Sequence, residues 1–228
     1  MKKSKGFSLI EVLITLGIIG VIAALTLPTL NTNVQKAQAG PALMKAINTL
    51  QNSLSLGMTQ KSLRSLTNFS TQKDIFEDSE KGPLYATMDY YDPITESQPY
   101  YNYDSTTFDD ISSNARIYTT KDGIDFILAN DGENPIVEIT GTEKLGFAIY
   151  IDVNGYAKAP NTLGRDTFKL VVDSKGYVIP YGGYEYAKYF SEDDTPLWKN
   201  DCKITEITDG AACTGSIIDN GGKVVYAY

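Results

Sequence analysis

Glu11 is the one acidic residue in an otherwise apolar stretch that runs from Phe7 to Leu27. A charged side chain in a membrane span costs a few kcal/mol even on lenient insertion scales, so an ionisable residue there is a candidate for function. Cleavage after Gly6 would make Phe7 the N-terminus, with a positively charged amine in the same apolar surroundings. Because opposite charges there neutralise each other, we expect this amine to pair with Glu11 of a staggered neighbouring chain.

A short basic leader precedes the apolar stretch and contains Lys2, Lys3 and Lys5. Basic residues mark the cytoplasmic side of a membrane helix, so we expect the leader to lie in the cytoplasm and the C-terminal domain outside it. The stretch 7–27 is long enough to cross a bilayer, since about 20 apolar residues suffice.

The order of these residues resembles the class III signal of type IV prepilins and type II secretion pseudopilins. The matching features are the basic leader, the apolar run and Gly6, Phe7, Ser8, Leu9, Glu11 and Pro28. In that family a prepilin peptidase cleaves after the glycine and methylates the new N-terminal phenylalanine, and the glutamate aligns subunits in the filament. The resemblance therefore implies cleavage between Gly6 and Phe7, N-methylation of Phe7 and an assembly role for Glu11.

The apolar stretch is also compatible with a secretory signal, a plain membrane anchor or a soluble helix. A secretory signal would use the A-x-A pattern at 37–39, but the stretch 7–27 exceeds the usual apolar region of about 7 to 15 residues. A plain membrane anchor explains the length but neither Gly6 nor Glu11. A buried acid in a soluble helix would require a polar helix face, which the unbroken apolar run lacks.

Composition limits the remaining possibilities. The 228 residues suit one hydrophobic helix and one globular domain. The net charge is −8, and loss of the three leader lysines would make it −11, so we expect no nucleic-acid partner. The chain contains no histidine, the commonest general base, so the sequence does not indicate an enzyme.

Apolar periodicity continues beyond the first stretch and predicts one long helix over residues 7–58. The recurring positions are Val34, Ala37, Leu43, Ile47, Leu50 and Leu54. We expect the first half to pack in lipid or among identical helices, and the amphipathic second half to cover a globular domain. Pro28 lacks a backbone N–H and predicts a kink, and Gly40-Pro41 predicts a second bend or restart.

Residues 59–114 form a predicted connection without clear periodicity and rich in tyrosine. Its tyrosines include Tyr85, Tyr90, Tyr91, Tyr100, Tyr101 and Tyr103. Tyrosine is common at interfaces, so these rings suit a recognition surface. Rings that cover the chain's own domain would produce the same pattern, and the sequence leaves both interpretations open.

Residues 115–228 are predicted to form an antiparallel sheet domain with a C-terminal disulfide loop. Short β-prone segments alternate with Gly and Asx turns, such as 121–123 between two strands. The predicted fold class is α+β, with a long N-terminal helix packed on an antiparallel sheet, which the pilin resemblance also implies. Cys202 and Cys213 are too few for a structural zinc site, and outside the cytoplasm we expect them to pair, although two free thiols remain the alternative.

The loop of residues 152–166 has candidate metal ligands. Its oxygen-bearing side chains are Asp152, Asn154, Asn161 and Asp166. Such oxygens suit a hard cation such as Ca²⁺, and some pseudopilins of the resembled family bind calcium. The loop lacks complete EF-hand spacing. Asx-Gly turns and an ion pair from Arg165 to Asp152 or Asp166 would explain the same residues without a cofactor. We favour this structural interpretation, because the ligands number fewer than six.

The sequence thus predicts a structural subunit, major or minor, of a type IV pilus or a type II secretion pseudopilus. The expected partners are identical or homologous subunits, the prepilin peptidase, the inner-membrane assembly platform and the membrane itself. The expected location is the bacterial inner membrane, followed by a filament outside the cytoplasm. The alternative is a membrane-tethered binding module, for which Glu11 would be dispensable.

Overall fold

The chain folds into a long helix that covers one face of an antiparallel sheet, and this confirms the predicted α+β class. The computed structural model describes residues 8–96, 99–138, 145–191, 193–203, 207 and 209–226. The predicted cleavage site at Gly6 and Phe7 lies outside the described residues.

Helix α1 spans Leu9–Gln60, and its 52 residues correspond to a length of about 78 Å. The helix is continuous through 40–41, so the predicted restart at Gly40-Pro41 is wrong, and the alternative, a bend there, remains a prediction. Gly40 lies directly against the backbone of Gly222, where a Cβ atom would overlap the carbonyl oxygen. Pro41 is exposed, so the carbonyl group that it leaves without a helical partner lies on the solvent side. The backbone is also helical at Pro28, and the kink predicted there remains a prediction.

Seven antiparallel strands form a single sheet in the order β1-β2-β3-β5-β6-β7, and β4 pairs with β5. Their bounds are β1 Ile94–Glu96, β2 Ala115–Thr119, β3 Asp125–Leu128, β4 Val137–Glu138, β5 Leu145–Asp152, β6 Thr167–Asp173 and β7 Val178–Pro180. The short helices are α2 Asp74–Glu77, α3 Asp109–Ser112, α4 Tyr184–Phe190, α5 Trp198–Asp201 and α6 Cys213–Asp219. Two 3₁₀ turns lie at Leu66–Asn68 and Asn130–Gly132.

The main core lies between α1 and the sheet. The buried positions of α1 recur at three- and four-residue spacing: Ala39, Leu43, Ala46, Leu50, Leu54 and Met58. Alternate side chains of the central strands contribute Phe147, Ile149, Ile151, Leu170 and Val172 to the same core. The buried stripe begins at Ala39, because Val34 and Ala37 are exposed, contrary to the sequence-based assignment.

The tyrosines of residues 59–114 differ in burial. Tyr100 is completely buried, and Tyr90 packs on the stacked rings of Phe76 and Tyr118, whose centroids are 4.1 Å apart. Tyr85 and Tyr91 are at least half exposed. At least two of these rings therefore stabilise the chain's own domain.

The C-terminal region is more helical than the sequence suggests. Cys202 and Cys213 form a disulfide that joins the end of α5 to the start of α6. The carboxylate of Asp219 connects all three C-terminal helices, because Oδ2 accepts hydrogen bonds from Trp198 Nε1 at 2.7 Å and the Tyr184 backbone N–H at 2.8 Å. Between the two cysteines, the described residues 203, 207 and 209–212 contain no helix or strand element, so the disulfide closes a loop whose two ends are short helices.

Candidate assembly segment and the Asp152–Asp166 loop

The first half of α1 presents an apolar surface that its own domain does not cover. Eleven Leu, Ile and Val side chains between Leu9 and Leu25 are 45–81% exposed. Within the described residues, Leu9–Thr26 is the one helical segment long and apolar enough to cross a membrane. This surface requires an apolar environment, which lipid or other apolar helices can provide.

Glu11 closes a capping box at the start of α1. The Ser8 side-chain oxygen accepts a hydrogen bond from the Glu11 backbone N–H at 3.3 Å, and Glu11 Oε2 accepts one from the Ser8 backbone N–H at 2.8 Å. The sequence analysis missed this arrangement, although the Ser-x-x-Glu spacing of residues 8–11 is its signal. An ionised carboxylate accepts several hydrogen bonds, so Glu11 retains capacity for a further donor.

The other polar groups of the apolar segment are satisfied within the helix. The Thr15 hydroxyl donates to the Glu11 and Val12 carbonyls, both at 2.9 Å, and the Thr26 hydroxyl donates to the Ile22 carbonyl at 2.9 Å. Such bonds allow threonine to lie in a helix surrounded by apolar groups. Among residues 9–26, the side chain that carries a charge is that of Glu11.

Close backbone contacts attach the second half of α1 to the globular domain. A Cβ atom at Gly57 would overlap the carbonyl group of Pro83, as one at Gly40 would overlap Gly222. The Lys36 ammonium group donates a hydrogen bond to the Tyr226 carbonyl at 3.0 Å. The domain therefore holds α1 from about residue 36 onward, while the apolar half extends beyond these contacts.

Hydrogen bonds hold the loop of residues 152–166 together. Asp152 Oδ1 accepts from the backbone N–H groups of Asn154 at 3.1 Å and Gly155 at 3.0 Å, which forms an Asx turn. Asp166 Oδ1 accepts from the Thr162 N–H at 2.7 Å. Asp166 Oδ2 accepts from the Asn161 N–H at 3.0 Å and the Asn154 side-chain amide at 3.3 Å. The four residues singled out from sequence therefore lie together, and Asp166 connects the two ends of the loop.

Asp125 is a third buried carboxylate beside this loop, and the sequence analysis missed it. It pairs in register with Asp152 across β3 and β5, and its Oδ2 accepts the Tyr156 backbone N–H at 2.7 Å. Burial raises the pKa of Asp125 and Asp166, and raises that of Asp152 well above its ordinary value, with the charges of Asp166 and Asp125 adding to the effect on Asp152. Register across long-range strand pairs brings these acids together, which no local sequence signal reveals.

The predicted ion pair of Arg165 with Asp152 or Asp166 is absent from the ion pairs of the described residues. The Arg165 guanidinium lies over the Tyr103 ring, 5.0 Å from its centroid. The carboxylates are therefore held by N–H donors of the loop and the neighbouring backbone, not by this cation.

The donor atoms of the loop partly fit a hard cation. Four buried side-chain oxygens of the loop and its neighbour on β3 have no hydrogen-bond partner among the described residues: Asp125 Oδ1, Asp152 Oδ2, Asn154 Oδ1 and Asn161 Oδ1. Carboxylate and amide oxygens are the ligands that Ca²⁺ prefers. Within the part of the chain that the structure describes, however, no three acidic, histidine or cysteine side chains form a metal-binding group. The geometry thus supports a hydrogen-bonded loop more strongly than a cation site.

Residues 1–27 match the family model described as the prokaryotic N-terminal methylation motif. This motif is the class III signal of type IV pilins and pseudopilins, which confirms the resemblance seen in the sequence. The match covers the leader and the apolar half of α1, and it includes Gly6, Phe7 and Glu11. No solved structure matches the chain.

Proposed function

We propose that this protein is a structural subunit of a type IV pilus or a type II secretion pseudopilus. The methylation motif supports a pilin- or pseudopilin-like protein, and the fold adds a globular domain attached to the second half of α1. Its role is assembly into a filament rather than catalysis.

The observation that carries the proposal is the uncovered apolar half of α1. Burying a Val, Leu or Ile side chain contributes about 1.5–3 kcal/mol, so burying eleven contributes tens of kcal/mol. The same surface suits a bilayer before assembly and a bundle of identical helices afterwards. The helix can therefore leave the membrane for the filament without exposing its apolar side chains to water.

The processing step gives Glu11 its partner. The prepilin peptidase would cleave after Gly6 and methylate Phe7, leaving a charged amine close to the start of α1. In the filament this amine would pair with Glu11 of a neighbouring subunit, which the spare hydrogen-bonding capacity of the carboxylate permits. The leader would lie in the cytoplasm of the inner membrane, the assembly platform would extract the subunit, and the acidic domain would face the outside.

Replacement of Glu11 tests this proposal. Glu11→Gln keeps the size of the side chain and part of the capping box but removes the charge, so filament yield should fall to roughly a tenth or less of wild type. Ser8→Ala is the matched control, because it removes the side-chain cap and leaves the carboxylate. The measurement is sheared or secreted filament against membrane-bound subunit for each variant.

Two results would count against the proposal. If Glu11→Gln assembled like wild type, Glu11 would not align subunits, and a membrane-tethered binding module would account for the chain better. If Ser8→Ala failed as severely as Glu11→Gln, the cap rather than the charge would be the essential feature.

A further inference from the structure

A cavity of about 530 Å³ opens on the sheet face opposite α1. Successive strand residues point to opposite faces, so Ile149 faces the helix-side core while Ala148 faces the cavity. The volume falls within the range of about 300–1,000 Å³ that is typical of small-molecule sites. The polar and aromatic groups that characterise the cavity are Gln72, Asn134, Lys169, Tyr181 and Tyr186.

Lys169 is the charged residue of this lining. Its ammonium group lies 4.5 Å from the centroid of the Tyr181 ring and 5.7 Å from that of Tyr150. Among the described residues it forms no ion pair. Burial lowers its pKa, and the more distant charges of Asp110 and Asp209 oppose this effect. A largely buried cation without a directly bonded anion is costly, and a bound anion would compensate for that cost.

Tyr181 and Tyr186 give the cavity an aromatic wall. Their ring centroids are 4.7 Å apart, and the ring planes are tilted by 56° to each other. Burial raises the pKa of Tyr181 to about 12, so both hydroxyls are neutral at physiological pH. The neutral rings offer an aromatic surface for a ring-shaped ligand and place no negative charge beside Lys169.

A neighbouring cavity contains a carboxylate in its lining. That cavity, of about 380 Å³, shares Gln72, Asn134, Ala148 and Lys169 with the first and is also lined by Asp110. The Asp110 carboxylate accepts the Tyr150 hydroxyl at 3.0 Å. An anion is therefore favoured in the larger cavity, whose lining contains Lys169 and no carboxylate.

We propose that the larger cavity is a binding site for a small ring-bearing carboxylate, with the carboxylate at the Lys169 ammonium group and the ring against Tyr181 and Tyr186. The site lies on the face of the sheet away from α1, so its occupation does not depend on assembly through the apolar half-helix. An aromatic acid and a sugar acid share this chemistry.

Titration calorimetry of the full chain in detergent micelles tests the site. The probes are 4-hydroxyphenylacetate and glucuronate, each compared with its neutral counterpart, 4-hydroxyphenylacetamide or glucose. At least one acid should bind roughly tenfold or more tightly than its neutral counterpart, because a hydrogen bond to a charged group stabilises more than a neutral one. The acid that binds identifies the source of the carboxylate.

Two variants locate the binding. Lys169→Met keeps an unbranched apolar stem and should weaken binding of the acid by roughly tenfold or more, with unchanged or increased thermal stability because a buried charge is removed. Lys199→Met is the matched control, since Lys199 also lies over a tyrosine ring, 4.8 Å from the centroid of Tyr184, but outside the cavity. Ala148→Leu should also block binding by filling the cavity.

The proposal fails if neither acid binds more tightly than its neutral counterpart. It also fails if a folded Lys169→Met variant binds as well as wild type, or if Lys199→Met weakens binding equally.

Discussion

At the residue scale, two acidic side chains have different roles. Glu11 lies exposed at the start of an apolar helix, and under the proposed function a partner outside the subunit balances its charge. Asp152 is completely buried, and its Oδ2 has no hydrogen-bond partner. The sequence indicates the first from its apolar neighbours alone. The sequence indicates Asp152 only as one oxygen-bearing residue of a loop. Its neighbour Asp125 is not apparent from sequence, because the pairing of β3 with β5 brings the two acids together.

The buried carboxylates predict a specific pH dependence of stability. Because the pKa of Asp152 is raised in the folded state, the protein binds more protons folded than unfolded as the pH rises above the ordinary value of 3.8. The free energy of unfolding should therefore fall as pH rises above about 4 in the presence of a chelator. Asp152→Asn should reduce this dependence and stabilise the protein at neutral pH, while the raised pKa values of Asp125 and Asp166 keep part of it. Denaturant unfolding of both proteins across pH measures the effect.

Calcium gives the same experiment a second use. With a hydrogen-bonded loop, millimolar Ca²⁺ should leave the unfolding of wild type and Asp152→Asn unchanged. Stabilisation of wild type by Ca²⁺ that disappears in Asp152→Asn would instead show that the orphaned oxygens bind a cation. If the free energy of unfolding of the wild-type protein rose with pH in the presence of a chelator, the account of the buried acids would be contradicted.

At the element scale, the long helix was predictable and its attachment to the domain was not. The three- and four-residue spacing of Leu43, Leu50 and Leu54 indicates the buried face without any tertiary information. The attachment of α1 at Gly40 is a close contact with the backbone of Gly222, which is far away in sequence. The C-terminal helices α4 and α6 have seven residues each, too few for a clear periodic pattern.

The close contact of Gly57 predicts a large effect from one methyl group. Gly57→Ala would place its Cβ against the backbone of Pro83, which cannot move without displacing the chain after α2. We expect it to lower the free energy of unfolding of the domain by about 1–3 kcal/mol. Gly20→Ala is the matched control, because nothing lies within 4 Å of a Cβ there. Equal unfolding free energies for the two variants would show that the α1 contact at Pro83 is not tight.

The disulfide predicts a loss of stability on reduction. Cys202 and Cys213 are 11 residues apart, and closing a loop of this size stabilises by about 3 kcal/mol on the chain-entropy estimate. The double variant Cys202→Ser with Cys213→Ser should be less stable by up to this amount, and a reducing agent should affect wild type but not the variant. Two free thiols in protein taken from its native compartment would contradict this prediction.

At the scale of the whole molecule, the chain consists of an exposed apolar half-helix and an acidic globular domain. The apolar half of α1 is exposed, and under the proposed function it holds subunits together, while the acidic domain, built on the α1–sheet core, faces solvent. The sequence predicted this division, because the loss of a polar face before Pro28 and its return afterwards are local patterns. The Lys169 cavity was not predictable, because it depends on β5, β6 and the chain after β7 meeting on one face.

The most direct test of the account is the intact mass of the mature protein purified from its native membrane or filament. If the chain is a pilin-like subunit, the mass should correspond to a chain that begins at Phe7 and carries one N-methyl group, with Met1 to Gly6 removed. Gly6→Leu should abolish this processing, because the peptidase must accommodate residue 6, while insertion in the membrane should continue. A mature chain that retained Met1, or that began at Gly40 after the A-x-A pattern, would contradict the assignment.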